Sequence, residues 1–585
     1  MSTPPARMPD GPLGAWEQAS GLVCFRVWAP DAASVELVLD GRSLPMLREP
    51  GGCFALSTGA TEGARYGYRI DGGEVVPDQA SRWQPEGVHG ASAVLATAYP
   101  WHCSGWRGRA WPEAVIYEVH VGACGGYAGV RAQLPRLVAL GITALELMPV
   151  AEFPGRRNWG YDGTFPYAPA SAYGDPHELK ALVDEAHAQG LMILLDVVYN
   201  HFGPDGNHLG RYASPFFRAD TPTPWGAAID FEQPAVQRYF IDNALMWLLE
   251  YRFDGLRLDA VHAILPSAFL DQLREAIAAA VPPSRQVHLV LENERNQASL
   301  LRAGYTAQWN DDFHNALHVL LTGETEGYYA AFADDPTAHL ARVLAEGFAF
   351  QGETDARGHV RGEPSGDLSP AHFIVFAQNH DQVGNRAFGE RLGGLVGERR
   401  LRSAMALTAL TPMIPLFFMG EPWGASQPFL FFTDFEPPLD AAVREGRRRE
   451  FAQFAAFADA QSRARIPDPN DEATFHASQA PPEDADAVAG MRWSGLFTCL
   501  MALRRQWLVP GLAQARTLSV RRLGEGALAA AWRLPGGDWH IAFNFGPSPV
   551  PMPAGADCLL WAENLPTGRA ELPVDGFIAW RGTRA

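Results

Sequence analysis

Four apolar runs in the middle of the chain each end on residues that can move protons or attack carbon. LMILLDVVYNH delivers Asp196, Asn200 and His201. FDGLRLDAVH delivers Arg257, Asp259 and His262. VHLVLENE delivers Glu292 and Glu294, and HFIVFAQNHD delivers Asn379, His380 and Asp381. Burying charge is costly, so apolar segments that end this way need partners for those groups or a use for them. Arg257 precedes Asp259 by two positions, which on a strand puts both side chains on one face. A neighbouring cation lowers a carboxyl's pKa. An ionised, oriented aspartate suits attack on an anomeric carbon, although the same pair could be a structural ion pair. Glu292 follows Leu-Val-Leu, where partial desolvation would raise its pKa as a general acid requires. Glu294 shares its face by the same rule, so spacing does not choose between them. Asp381 could stabilise a cationic transition state, with His380 either binding sugar hydroxyls or buried in the core. Trp159, Tyr161, Phe165 and Tyr167 follow the second apolar run of this region, and Trp423, Phe429, Phe431, Phe432 and Phe435 follow the last. Aromatic faces stack on sugar rings, though for any one of them ordinary packing is the alternative. With no HExxH, Walker loop, CxxC or EF-hand pattern, no metal, nucleotide or redox cofactor is expected.

The elements that must hold these residues alternate. From about residue 113, strand-like runs AVIYEVHVG, ALELMPV, LMILLDVVYNH, FDGLRLDAV, VHLVLENE, TAQWNDD, HFIVFAQNHD and IPLFFMGE are separated mostly by helix-like stretches. That rhythm implies parallel βα units, and eight of them close a (β/α)8 TIM barrel whose chemistry lies at the carboxyl ends of the strands. The alternative, an open doubly wound sheet, lacks a glycine-rich phosphate turn after its first strand. Before the barrel, FRVWAP, SVELVLDG and YGYRIDGG read as short antiparallel strands of an immunoglobulin-like β-sandwich. After it, ALAAAWRLPGG, DWHIAFNFG and GFIAWRG read as a small β-domain. The expected division is 10–105, 110–510 and 511–585. Stretches 353–370 and 465–488, rich in Gly, Pro or Asp, read as loops.

The 585 residues carry 47 basic and 66 acidic side chains, a formal charge of −19. This argues against binding nucleic acid or an anionic membrane and is compatible with a neutral substrate. Six scattered cysteines are too few for a disulfide framework and suggest free thiols in a reducing compartment. The first residues, MSTPPARMPDGPLGAWEQ, lack a signal-like apolar stretch. The run 403–420, SAMALTALTPMIPLFFMG, is interrupted by Pro412 and Pro415 and reads as helix, turn and buried strand instead of a membrane span. A cytoplasmic location is therefore expected.

The four strand ends resemble the four signature regions of the α-amylase superfamily, glycoside hydrolase family 13. That resemblance implies Asp259 as nucleophile, Glu292 as acid/base and Asp381 as transition-state stabiliser. It places Tyr161, His201, Arg257 and His380 around the sugar at the cleavage point, with His262, Asn379, Trp159 and Trp423 completing the expected binding set. Asp196 and Asn200 would be mainly structural. Longer strings resemble one branch of the superfamily, whose members release a terminal trehalose from malto-oligosyltrehalose. They are GYDGTFPYAPASAYG (160–174), FDGLRLDAVHAI (253–264), WNDDFHNALHVLLTGETEGYY (309–329), QNHDQVGNR (378–386), and FLFFTDF with VREGRRREF (429–451). This implies malto-oligosyltrehalose as substrate and malto-oligosyltrehalose synthase as its pathway neighbour. Many α-amylases have Lys-His after the nucleophile where this chain has His262-Ala263, a change on the acceptor side. A calcium site is not evident. The competing readings are a branching or debranching enzyme, and an inactive glucan-binding barrel, which should lack one of the carboxylates.

Overall fold

The computed structural model describes residues 11–582 apart from Ala19, 224–225, 355–359, 481 and 567–569. Residues 1–10, residues 355–359 of the 353–370 loop and residues 583–585 therefore lie outside the described residues. Eight parallel strands form a closed barrel in chain order. They are β1 (Ile116–Val119), β2 (Ala144–Leu147), β3 (Met192–Val197), β4 (Gly255–Leu258), β5 (His288–Leu291), β6 (Ala307–Trp309), β7 (Phe373–Val375) and β8 (Ile414–Phe418). β8 pairs back onto β1 through Ile116 and Leu416. Every residue of these strands is buried, which is why they read as near-continuous apolar runs and not as alternating ones.

Local signals start the surrounding helices. Asp175 and Glu178 form a reciprocal capping box at Pro176–Ala188, with proline in the first turn. The run 403–420 is resolved as expected, with the end of helix Glu398–Leu410, a turn, and β8. Fully buried Arg504 holds this turn together by donating to the carbonyls of Ala409, Thr411 and Met413. Among the described residues no helix is long and apolar enough to cross a membrane.

Two sheets precede the barrel. One orders Gly14–Glu17, Val23–Trp28, Cys53–Thr58 and Leu47–Arg48; the other is built around Val35–Leu39 and Arg65–Ile70. The sandwich packs on the barrel: Tyr239 donates to the Gln79 carbonyl at 2.6 Å, and Gln79 donates to the Thr164 carbonyl at 3.1 Å. After the barrel comes a five-stranded antiparallel sheet, Arg516–Gly524, Ala527–Leu534, Gly537–Asn544, Gly576–Gly582 and Leu559–Glu563. It is tied to helix Glu398–Leu410 by Arg400–Asp575 (2.6 Å) and Arg402–Glu563 (2.8 Å). One loop expectation needs correcting. Within 465–488 the chain forms a helix, Glu472–Ala477, because Asp471 accepts from the Ala473 amide and starts it.

Candidate active site

The strands all point one way, so β3, β4, β5 and β7 bring their terminal polar residues to a single rim. Arg257, next to last in β4 and 3% exposed, organises it. Its Nη1 donates to both oxygens of Asp196 at 2.9 Å and to Oδ1 of Asp259 at 2.7 Å. Its Nη2 lies 3.9 Å from Oε2 of Glu292, and the guanidinium rests on the Trp309 ring at 4.2 Å. The second oxygen of Asp259 accepts from the Asn200 side chain at 2.7 Å. Glu292 Oε2 accepts from the Ala260 amide at 2.5 Å. Ala260 adopts φ 40°, a left-handed backbone for a residue with a Cβ; that strained turn aims its N–H at the acid beside the nucleophile candidate.

The two carboxyls are driven apart electrostatically. Burial pushes Asp259 up, but the charges of Arg257 and His201 and the hydrogen bonds from Asn200 and Arg257 prevail and hold it below the ordinary carboxylate value. For Glu292 burial dominates. Arg257 opposes it only in part, and the anions Asp259 and Asp311 reinforce it, so its pKa is pushed up to about 8. One site thus presents an anionic and a protonated carboxyl at neutral pH, the division of labour that acid/base chemistry with a nucleophile needs. Glu294 is exposed and pairs with His262 at 3.5 Å.

Asp381 follows β7 in the short helix His380–Gly384. Asn379 caps that helix, accepting from the amides of Asp381 and Gln382. Asn385 donates to Asp381 Oδ1 at 2.6 Å, and Asn385 is held in turn by Arg447 at 2.9 Å. Tyr161 stays partly exposed and stacks on His380, with ring centroids 5.3 Å apart. His262 also keeps part of its surface, with 20% of the side chain exposed.

Several expected sugar contacts are placed elsewhere. Asn379 is fully buried and acts as a cap. Trp159, 4% exposed, stacks on Phe429, meets His380 edge-on and donates to the Leu430 carbonyl. Trp423, 3% exposed, packs on Tyr117, whose neighbour in β1, Glu118, carries the inward-facing side chain. Both tryptophans show packing, since their faces are already covered by protein. His201 and His380 have both ring nitrogens committed to protein, His201 to Asn200 and the Tyr161 carbonyl, His380 to Glu118 and the Tyr161 hydroxyl. Both rings thereby hold Tyr161, His201 at its carbonyl and His380 at its hydroxyl.

Three acidic residues at this end of the barrel carried no assignment. Asp311, just after β6, accepts from Gln382 at 3.4 Å, and burial together with the charges of Asp381 and Asp312 pushes its pKa up to about 7. Glu118 and Glu146 lie inside the barrel, 1% exposed each. An acidic residue inside a fully buried strand is the signal that would have found the last two. Tyr328, 39% exposed and packed edge-on against Phe454, adds an aromatic face to the same side.

Comparison with known proteins agrees with this architecture. Residues 77–214 match the alpha amylase catalytic domain, residues 12–84 match carbohydrate-binding module 48 (isoamylase N-terminal domain), and residues 515–577 match a domain of unknown function. The malto-oligosyltrehalose trehalohydrolase of Deinococcus radiodurans is 40% identical over 86% of this chain and 85% of its own length. That of Saccharolobus solfataricus is 38% identical over 85% and 87%. A crystal structure of an alpha-amylase-like protein from Salmonella typhimurium superposes with a TM-score of 0.92 at 42% identity, covering 97% of this chain and 99% of that one. A 1,4-alpha-glucan branching enzyme from Frankia casuarinae is similar over only 43% of this chain. The chain belongs to the malto-oligosyltrehalose trehalohydrolases, a branch of the α-amylase family of glycosidases.

Proposed function

We propose that this protein hydrolyses the α-1,4 bond next to the terminal trehalose of malto-oligosyltrehalose, with retention of configuration. Glu292, protonated at neutral pH, donates to the glycosidic oxygen while Asp259 attacks the anomeric carbon. Asp381 stabilises the cationic sugar between them. Trehalose departs, and water activated by Glu292 as base releases the shortened malto-oligosaccharide. The observation that carries this reading is the single guanidinium of Arg257 reaching an anionic Asp259 and a proton-holding Glu292. Two carboxyls within reach of one such group fit the short separation of a retaining pair. The relatives' shared activity supports the substrate. His262-Ala263, where many α-amylases have Lys-His on the acceptor side, supports recognition of something other than a plain glucan chain. Six cysteines, scattered along the chain with no CxxC pair, support a reducing, cytoplasmic setting beside a synthase that makes the substrate. Proton NMR of the first turnovers tests the chemistry: the new reducing end should appear as the α-anomer and only later mutarotate. An initial β-anomer would mean inversion and would remove Asp259 from the nucleophile's role.

A further inference from the structure

Glu118, third residue of β1, has no part in the scheme above. It is 1% exposed, and its carboxyl grips His380 twice. Oε2 accepts from the His380 amide at 2.9 Å, and Oε1 lies 2.5 Å from Nδ1. The other ring nitrogen, Nε2, is 2.9 Å from the Tyr161 hydroxyl. That hydroxyl has one proton, and at 2.6 Å it goes to Oδ2 of Asp196. The Tyr161 oxygen is then left to accept, so Nε2 carries a hydrogen. With Nδ1 facing a carboxylate whose other oxygen accepts an amide, both nitrogens are donors.

We propose that Glu118 is a positioning residue that holds His380 as an imidazolium. The cation then fixes the Tyr161 hydroxyl on Asp196 and, through Asp196 and Arg257, the orientation of Asp259. The chain Glu118–His380–Tyr161–Asp196–Arg257–Asp259 is continuous, every link between 2.5 and 2.9 Å. The charged and titratable groups around the ring are Glu118 from β1, Asp196 from β3, Arg257 from β4, Asp381 beside it, Tyr161 from the loop after β2, and His120 just beyond β1. Burial and Arg257 work against the cation; Glu118 and Asp381 favour it and prevail, so the ring titrates above the ordinary histidine value. Asp196 is pushed up to about 6, mainly by burial and partly relieved by Arg257, Tyr161 and His380.

The test is Glu118→Gln, which can still accept from the His380 amide and donate to Nδ1, keeping the contacts while removing the charge. His380 should become neutral at pH 7.5, Asp196 should take its proton at higher pH, and the acid limb of kcat/KM should move upward. The part of this expectation that concerns rate rests on the hydrolysis proposed above; kcat should fall about ten- to a hundredfold, with KM within threefold. A second measurement is independent of activity and of the variant's folding. Nitrogen-15 NMR of ring-labelled histidine in the native protein at pH 7.5, with the His380 signal assigned by its loss in His380→Asn, should show both nitrogens protonated. A neutral His380 ring in the native protein, or an acid limb unmoved in a folded Glu118→Gln enzyme, would overturn the proposal.

Discussion

Replacing Arg257 by lysine keeps the charge and removes the geometry. The guanidinium serves Asp196 through two 2.9 Å contacts, Asp259 through one of 2.7 Å and Glu292 at 3.9 Å. An ammonium is a point charge and cannot satisfy three carboxyls from one fixed plane. Two opposite charges about 4 Å apart attract by about 4 kcal/mol at an effective dielectric constant of about 20, so losing alignment to even one partner is felt. For Asp259 the consequence is a raised pKa, because the charge of Arg257 is a main cause of its being held low. The working enzyme needs Asp259 ionised, so a raised pKa moves the acid limb of kcat/KM to higher pH. Near neutrality the loss of orientation should lower kcat/KM by about a hundredfold. Steady-state rates on a malto-oligosyltrehalose from pH 4 to 9, with thermal unfolding of both proteins, measure all of this. An Arg257→Lys enzyme within about threefold of the native protein, with its acid limb in place, would refute the assignment of Arg257 as the group that sets the nucleophile.

Two further variants test the acid. Glu292→Gln should lose about three orders of magnitude in kcat or more on oligosaccharide substrates, yet unfold at a higher temperature than the native protein at pH 8. The sign follows from a folded pKa of about 8 against 4.5 unfolded: the stability contributed by the bound proton is complete below pH 4.5 and is lost as pH rises to about 8, on the order of a few kcal/mol, and glutamine has no such loss. Asp311→Asn removes an anion that helps keep Glu292 protonated, so the alkaline limb of the pH profile should move down by on the order of one unit; an unmoved limb would exclude Asp311 from the acid's environment.

The barrel and its acidic rim were legible because parallel strands covered on both faces are apolar throughout, so a charge at their ends stands out. At β4 the two-residue rule held: the Asp259 amide still bonds the Val197 carbonyl, extending the ladder, and Arg257 and Asp259 meet on one face. At β5 it failed. The strand ends at Leu291, Glu292 adds one more ladder bond to Leu258, and the chain then turns through Asn293–Asn296, throwing Glu294 outward. The tryptophans, expected at the sugar, are packed against protein in the structure. Composition near a rim says that an aromatic face exists, not whether Phe429 or Tyr117 already covers it. Glu118 escaped notice because interest fell on strand ends, whereas it contacts His380 from within β1, past the intervening β8.

The most direct test of the whole account is product analysis by chromatography on three substrates in parallel: maltotriosyl-trehalose, maltopentaose and amylose. Rapid release of free trehalose from the first, with much slower attack on the second, is the predicted result. Absence of trehalose, with new α-1,6 branches in the amylose, would contradict it and make the intermediate on Asp259 a donor to sugar hydroxyls instead of water.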